Sequence, residues 1–285
     1  MYLEFYKLRE YPFAITCDER YFFESAIHAE TLASMLYVVQ QRKGMVLITG
    51  EVGAGKTFLG NMLGSRLGPG CLCVTMQNPP QSGKQLLRAV ALRAGMNVRP
   101  SIDKLCLVEE LEQHLRRLHS RGRLVVVILD ESQDLSAASL EEIRLLWNWE
   151  QQGQRLVQIV LIGQPELRDR LQEAKWEPLR QRIVLSYHLG RLSAADTAAY
   201  IAHRLKVASD NGGCQVEFTA DAMADAHAAT DGIPRLINVL CDNSLLVGYV
   251  KGSRQIDRTI INEVLRDMTC WKVRTTPAPP ATAAG

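Results

Sequence analysis

The chain has 285 residues, of which 47% are hydrophobic and 22% charged; that is enough for one large domain or two smaller ones, and it excludes a disordered or fibrous chain. Lys and Arg together number 33 against 31 Asp and Glu, so no global field commits the molecule to nucleic acid or to an acidic membrane surface. Cysteines at 17, 71, 73, 106, 214, 241 and 270 show no metal-ligand spacing and read as reduced thiols in a cytoplasmic protein, while no apolar run approaches the roughly 20 residues of a membrane span and "MYLEFYKLRE" lacks the layout of a secretory signal.

In chain order, "MVLIT" (45–49) and "CLCVTM" (71–76) are continuous β-rich apolar runs, the pattern of strands covered on both faces. "KQLLRAVALRAG" (84–95) and "LVEELEQHLRRLHSRG" (107–122) space their leucines and valines at three and four residues and stop at glycine, which predicts helices. "LVVVIL" (124–129) and "LVQIVLI" (156–162) are two further strands. The alternation predicts an α/β domain with a parallel sheet over 1–190. From Ser193 the β signal fades, and "SAADTAAYIAHRLKVAS", "TADAMADAHAAT", "IPRLINVLCDNSLLVGYV" and "DRTIINEVLRDM" predict a small all-helical domain over 191–270. The last stretch, 271–285, is rich in Pro, Ala and Thr without periodicity and is expected to be a disordered tail or a linker.

"GEVGAGKT" (Gly50, Glu51, Val52, Gly53, Ala54, Gly55, Lys56, Thr57) directly follows the first strand and opens a helical stretch. A glycine turn there exposes backbone N–H groups, and the helix N-terminus adds its positive end, so both face phosphate. Lys56 is assigned to the β- and γ-phosphates of ATP and Thr57 to Mg²⁺. A site that hydrolyses also needs a carboxylate for the metal shell and a base for water at a neighbouring strand end. "LVVVILDE" supplies Asp130 for the metal and Glu131 for the water.

These motifs, with "YPFAITCDERYFF", "LEEIRLLWNWE", "LVQIVLIGQPELRDRL", "PLRQRI" and "GIPRLINVLCDNSLL", resemble the AAA+ ATPases, and within them the ExeA/GspA-type ATPases associated with type II secretion. The resemblance covers roughly residues 6 to 250. It implies a P-loop AAA+ core with a helical lid, ATP hydrolysis, and assembly into a homo-oligomeric ring or filament. It also implies roles. Gln164 resembles the sensor 1 residue, the alternative being an amide that caps the turn before Pro165. Arg182, or else Arg180, resembles the arginine finger given to a neighbour's nucleotide, the alternative being an exposed structural arginine. Arg235 resembles sensor 2 over the phosphates, against plain packing at a helix start.

The chain also departs from that pattern. Phe58 stands where the family has a small hydroxyl residue, and Gly60 and Gly64 interrupt the helix after the loop, which suggests close packing. Trp147 and Trp149 would diverge by about 200° on a helix, placing one in the core. Secretion-linked members continue into a membrane span and a peptidoglycan-binding part, so a chain ending in "TTPAPPATAAG" reads as a piece of a longer protein or a stand-alone relative. "HLRRLHSRGR" (114–123) reads as a solvated helix C-terminus complementing the dipole or a DNA contact. His28 reads as aromatic-core packing with Tyr21 or Phe22, or as a neighbour of adenine.

The expected function is nucleotide-driven assembly or remodelling of a partner complex of the cell envelope or secretion machinery, in the cytoplasm or held by a partner at the inner face of the membrane. The rival is a DNA-associated regulator resembling transposon target selectors, which near-neutral charge disfavours because phosphate contacts dominate DNA affinity. A third reading, a nucleotide-binding module without hydrolysis, conflicts with an intact Asp130–Glu131 pair.

Overall fold

The computed structural model describes residues 1–16, 18–209 and 213–268. The expected tail at 271–285 lies outside the described residues. The chain packs as two units: Ile15–Asp196 with Gly232–Leu236, and Met1–Ala14 with Thr197–Asp231 and the residues from Ile237 on.

The first unit is built on five parallel strands, β1 (Met45–Gly50), β2 (Cys71–Met76), β3 (Leu124–Leu129), β4 (Gln158–Gly163) and β5 (Ile183–Leu189), in the order β2-β3-β4-β1-β5. Helices α1 (Ala26–Gln40), α2 (Lys56–Leu67), α3 (Gly83–Arg93), α4 (Lys104–Ser120), α5 (Ala137–Asn148) and α6 (Pro165–Leu171) cover it. Alternate residues of the strands sort to two cores, as the period of two requires. Met45, Leu47, Val127, Leu129, Ile159 and Leu161 join Leu87, Leu111 and Leu146 from α3, α4 and α5. Val46, Ile48, Val126, Ile128, Val160 and Ile162 join Leu32 and Met35 of α1 and Leu59 and Leu63 of α2. Burial on both faces is why β1, β3 and β4 read as apolar runs, whereas β2, at the sheet edge, is only partly buried.

The register aligns Leu47 with Leu161 and Leu161 with Leu129. The residues just beyond the carboxyl ends of β1, β3 and β4 therefore gather at one edge of the sheet, where ligands of open parallel sheets bind.

The fold is an α/β core on a parallel sheet with a helical region following it, as the sequence indicated. β5 escaped the sequence reading. It is an edge strand whose residues alternate between half-buried and exposed, and Ser186 and His188 on it break the apolar run.

The second unit contains α8 (Ala220–Thr230) and α10 (Arg258–Asp267) with most of α7 (Ala194–Ala208) and α9 (Pro234–Val250). Met1–Ala14 packs in this unit, where the sequence had suggested the α/β domain. The Tyr6 hydroxyl donates to the carbonyl of Leu245 at 3.0 Å, and the Tyr6 carbonyl accepts from the Gln215 N–H at 2.9 Å. The buried Arg204 guanidinium donates to the carbonyls of Pro12 and Ala14 and to the Tyr200 hydroxyl. A charge is kept in such a place only when its donors are satisfied, so the N-terminal segment is fixed by polar bonds that no local pattern announces.

Candidate functional site

The turn after β1 is shaped by two glycines in the left-handed region, Gly53 (φ 85°) and Gly55 (φ 92°). A Cβ on Gly53 would stand 2.6 Å from Cβ of Arg235, and one on Gly50 would stand 2.6 Å from the Leu189 carbonyl oxygen. Gly55 is the N-cap of α2 and has no side chain to cap with, so the first N–H groups of that helix are left facing the loop. The Lys56 ammonium lies inside the turn, donating to the carbonyls of Gly50 and Glu51 at 2.8 Å each. Burial lowers its pKa from the ordinary lysine value, against the pull of Glu131, Asp130 and Glu51. The Glu51 carbonyl also accepts from the Ala54 N–H at 3.2 Å, and Val52 at the tip is exposed.

At the end of β3, Asp130 is buried and takes two donors. The Thr57 hydroxyl reaches Oδ2 at 2.5 Å and the Glu131 N–H reaches Oδ1 at 2.9 Å. Burial raises the Asp130 carboxyl above its usual range, with Thr57, the Glu131 N–H and Lys56 opposing. Glu131 adopts a left-handed φ of 50°. Its Oε2 accepts from Nε2 of Gln133 at 2.7 Å and from Nε2 of Gln164 at 3.4 Å. Oε1 of Gln133 accepts in turn from the Gln164 N–H at 3.1 Å. Lys56, Thr57, Asp130, Glu131 and Gln164 thus form one constellation. Gln133 belongs to it, although sequence assigns it no role: it lies in the family-like segment "VVVILDESQDLS", but a polar residue in the irregular "SQD" turn carries no periodicity that would single it out.

Behind the loop, His28 is buried with Nδ1 2.7 Å from the Ser25 hydroxyl. Burial lowers its pKa from 6.5, opposed by a hydrogen bond to the Ala54 backbone and by Asp196. The neutral ring therefore bridges Ser25 and the glycine loop. Its Nε2 would lie 3.5 Å from a Cβ on Gly55. Phe22 meets the His28 ring edge-on at 5.9 Å and stacks on Phe58 at 5.3 Å and 16°, so the departure at Phe58 is absorbed by aromatic packing. Gly60 is required for close approach, since its Cβ would stand 2.7 Å from Cδ1 of Ile162; at Gly64 the nearest atom is an ordinary 3.9 Å away. Trp147 is in the core.

Arg235 stands at the loop, its N–H 3.4 Å from the Gly53 carbonyl oxygen. Arg180 and Arg182 do not join the constellation. Arg180 donates to the Gln172 carbonyl at 3.1 Å. Arg182 donates to Oδ1 of Asn148 through Nε at 3.2 Å and Nη2 at 3.1 Å, and to the Pro178 carbonyl. Its guanidinium lies 5.5 Å from the Trp147 ring, over which Arg155 sits at 4.1 Å. Because Met45 aligns with Ile183 and Gly50 with Leu189, Arg182 precedes β5 at the far end of the sheet, about 20 Å from the glycine loop at a strand rise of ~3.3 Å per residue. The basic stretch 114–123 is largely engaged locally: His114 with the Ala94 carbonyl, Arg116 with Glu112, His119 with Arg42 and Arg123 with the Pro69 carbonyl.

Among the described residues no three His, Cys, Asp or Glu side chains are grouped to hold a metal by themselves, and no helix is long and apolar enough to cross a membrane.

Residues 39–171 match the AAA domain family. The chain is 38% identical over 257 residues to the general secretion pathway protein A of Aeromonas hydrophila, covering 90% of this chain and 46% of that protein, so it spans less than half of that relative's length. Its fold is similar to the ORC2 protein of Aeropyrum pernix, solved as ADPNP-ADP complexes, with a TM-score of 0.68, 14% identity, and coverage of 88% of this chain and 70% of that one. It is also similar to the RuvB Holliday junction branch migration motor of Thermotoga maritima, with a TM-score of 0.56, 18% identity, and coverage of 90% and 73%.

Proposed function

We propose that this chain, which matches the AAA domain family over residues 39–171 and resembles the general secretion pathway protein A, binds ATP with Mg²⁺, hydrolyses it, and uses nucleotide state to change how its subunits and a partner fit together. The observation that carries this reading is the convergence of Thr57, Asp130, Glu131 and Gln164 at the mouth of a glycine loop that encloses Lys56. A loop that merely turned a strand into a helix would need none of them.

The triphosphate is the substrate. The backbone N–H groups of 53–57 receive its phosphate oxygens, and the Lys56 ammonium exchanges the Gly50 and Glu51 carbonyls for them. The Thr57 hydroxyl and the Asp130 carboxylate fit a magnesium ion, which takes one or two protein oxygens and completes its shell with phosphate and water; it would neutralise charge on the transferring group. Glu131 accepts a proton from the attacking water, and Gln164, one bond away from the same carboxylate, holds that water. Arg235 faces the phosphates from the first turn of α9. Arg182 lies too far from its own loop to act there, and in this reading its guanidinium serves the nucleotide of a neighbouring copy, leaving its bonds to Asn148 and Pro178; Arg180 is the second choice.

The similarity to the general secretion pathway protein A supports a partner in secretion, and a place in the cytoplasm or at the inner face of the membrane goes with that reading; binding of duplex DNA is the competing outcome. The test is steady-state hydrolysis against protein concentration, with and without duplex DNA at low salt. Turnover that falls on dilution and drops to a small residual rate in Glu131→Gln supports a shared hydrolytic site. Concentration-independent turnover contradicts the sharing, and its absence contradicts hydrolysis. Stimulation by DNA with a steep salt slope would transfer the reading to the DNA-associated rival.

A further inference from the structure

We infer that Gln133 is a positioning residue: its carboxamide sets the Glu131 carboxylate and ties it to the strand end that carries Gln164. The inference rests on the proposed hydrolysis and concerns how this chain holds its water-activating group.

A carboxamide has a donating and an accepting end that a wrong flip would exchange. Here the partners fix which is which. The Gln164 N–H can only donate, and it lies 3.1 Å from Oε1 of Gln133; a carboxylate only accepts, and Oε2 of Glu131 lies 2.7 Å from Nε2. The remaining contact of Nε2, to Oδ2 of Asp134, is longer at 3.4 Å. The amide is therefore locked end to end between β4 and the acidic pair.

Its backbone is held as well. The buried Ser132 hydroxyl donates to the Leu129 carbonyl at 2.8 Å, and the Arg170 guanidinium donates to the carbonyls of Gln133 and Leu135. Room for the amide comes from Gly163, the last residue of β4. A Cβ there would stand 3.0 Å from Oε1 of Gln133 and 3.3 Å from its backbone nitrogen.

Glu131 needs such support. Its left-handed backbone, φ 50°, is a conformation that a non-glycine residue keeps only when its surroundings over-determine it. The bonds from Gln133 and Gln164 both fall on Oε2, which leaves Oε1 to meet water in one orientation. Without Gln133 the carboxylate keeps only the longer bond from Gln164, and the orientation is lost.

The test is single-turnover and steady-state ATP hydrolysis by the full chain carrying Gln133→Leu, similar in size but without the amide, or Gln133→Ala, each made also in the Glu131→Gln background. Melting temperature and affinity for ADP report folding and nucleotide binding. Displacing a supporting group costs about 10- to 100-fold in rate. The expected result is a kcat lower by at least about tenfold with ADP affinity within about twofold of wild type, and no further loss when Glu131 is already Gln, since residues that act as a unit are not additive. An unchanged or increased kcat in Gln133→Leu overturns the inference while leaving the hydrolytic reading intact. An equal loss in both backgrounds also overturns it, because a merely structural defect would not depend on Glu131. A wild-type chain that does not hydrolyse ATP overturns both.

Discussion

The Thr57 hydroxyl donates to the Asp130 carboxylate at 2.5 Å, across 73 residues of sequence. It joins the helix that begins at the glycine loop to the end of β3, so the two assigned metal-holding groups are already side by side. The cost lies in Asp130, a carboxylate kept out of water whose pKa burial has raised. Replacing it by Asn keeps the shape and removes the desolvated charge. Asp130→Asn should therefore melt at or above the wild-type temperature while hydrolysis falls by about 10²-fold or more, the scale of removing one electrostatic stabiliser of a transition state. Thermal melting with an ATPase assay checks this; a folded Asp130→Asn protein of near-normal rate would remove Asp130 from the chemistry.

His28 gives a pH dependence of known sign. Burial depresses its pKa below 6.5, so the unfolded chain binds a proton more readily than the folded one. Its contribution to stability is complete above about 6.5 and is lost as pH falls through the folded value. Asp130, with its raised pKa, acts with the opposite sign, so the comparison has to be between variants. Melting temperature should fall between about pH 8 and 5 more steeply for wild type than for His28→Asn, which cannot titrate. Parallel curves would mean that His28 is not held neutral against the loop.

Two left-handed glycines separate backbone strain from crowding. Gly53 (φ 85°) and Gly122 (φ 73°) both penalise a Cβ through conformation, but only at Gly53 would that Cβ meet another atom, Cβ of Arg235 at 2.6 Å, whereas at Gly122 nothing lies within 4 Å. Gly122→Ala should cost about 1–2 kcal/mol. Gly53→Ala should cost clearly more and also weaken nucleotide binding. Denaturant unfolding and a nucleotide titration measure both; equal losses with unchanged affinity would refute the close approach of Arg235 to the loop.

What the sequence carried follows the same physics. Lys56, Thr57, Asp130 and Glu131 could be named because strand-end chemistry has fixed spacing, and β1, β3 and β4 because burial on both faces writes an apolar run. β5 was hidden by its edge position, where Ser186 and His188 face outward in alternation. The packing of Tyr6 beside Leu245 and of Arg204 beside Pro12 joins residues too distant for any window to connect. Gln133 joins Glu131 to Gln164, and His28 joins Ser25 to the backbone at Ala54, through hydrogen bonds. Such bonds depend on where the chain returns, and residue type alone does not reveal them.

The separation of Arg182 from its own loop makes the most direct demand on the account. In one chain it is held by Asn148, the Pro178 carbonyl and the face of Trp147, at the opposite end of the sheet from Lys56. If ATP is hydrolysed between subunits, Glu131 and Arg182 of any one site come from different copies. The decisive measurement is the ATPase rate of Glu131→Gln and Arg182→Ala proteins, each alone and then co-assembled. Each protein alone should keep only a small residual rate and their mixture should regain activity, because a copy lacking Arg182 offers an intact Glu131 to a neighbour with an intact Arg182. A mixture no more active than its components, or full activity of Arg182→Ala alone, would contradict it.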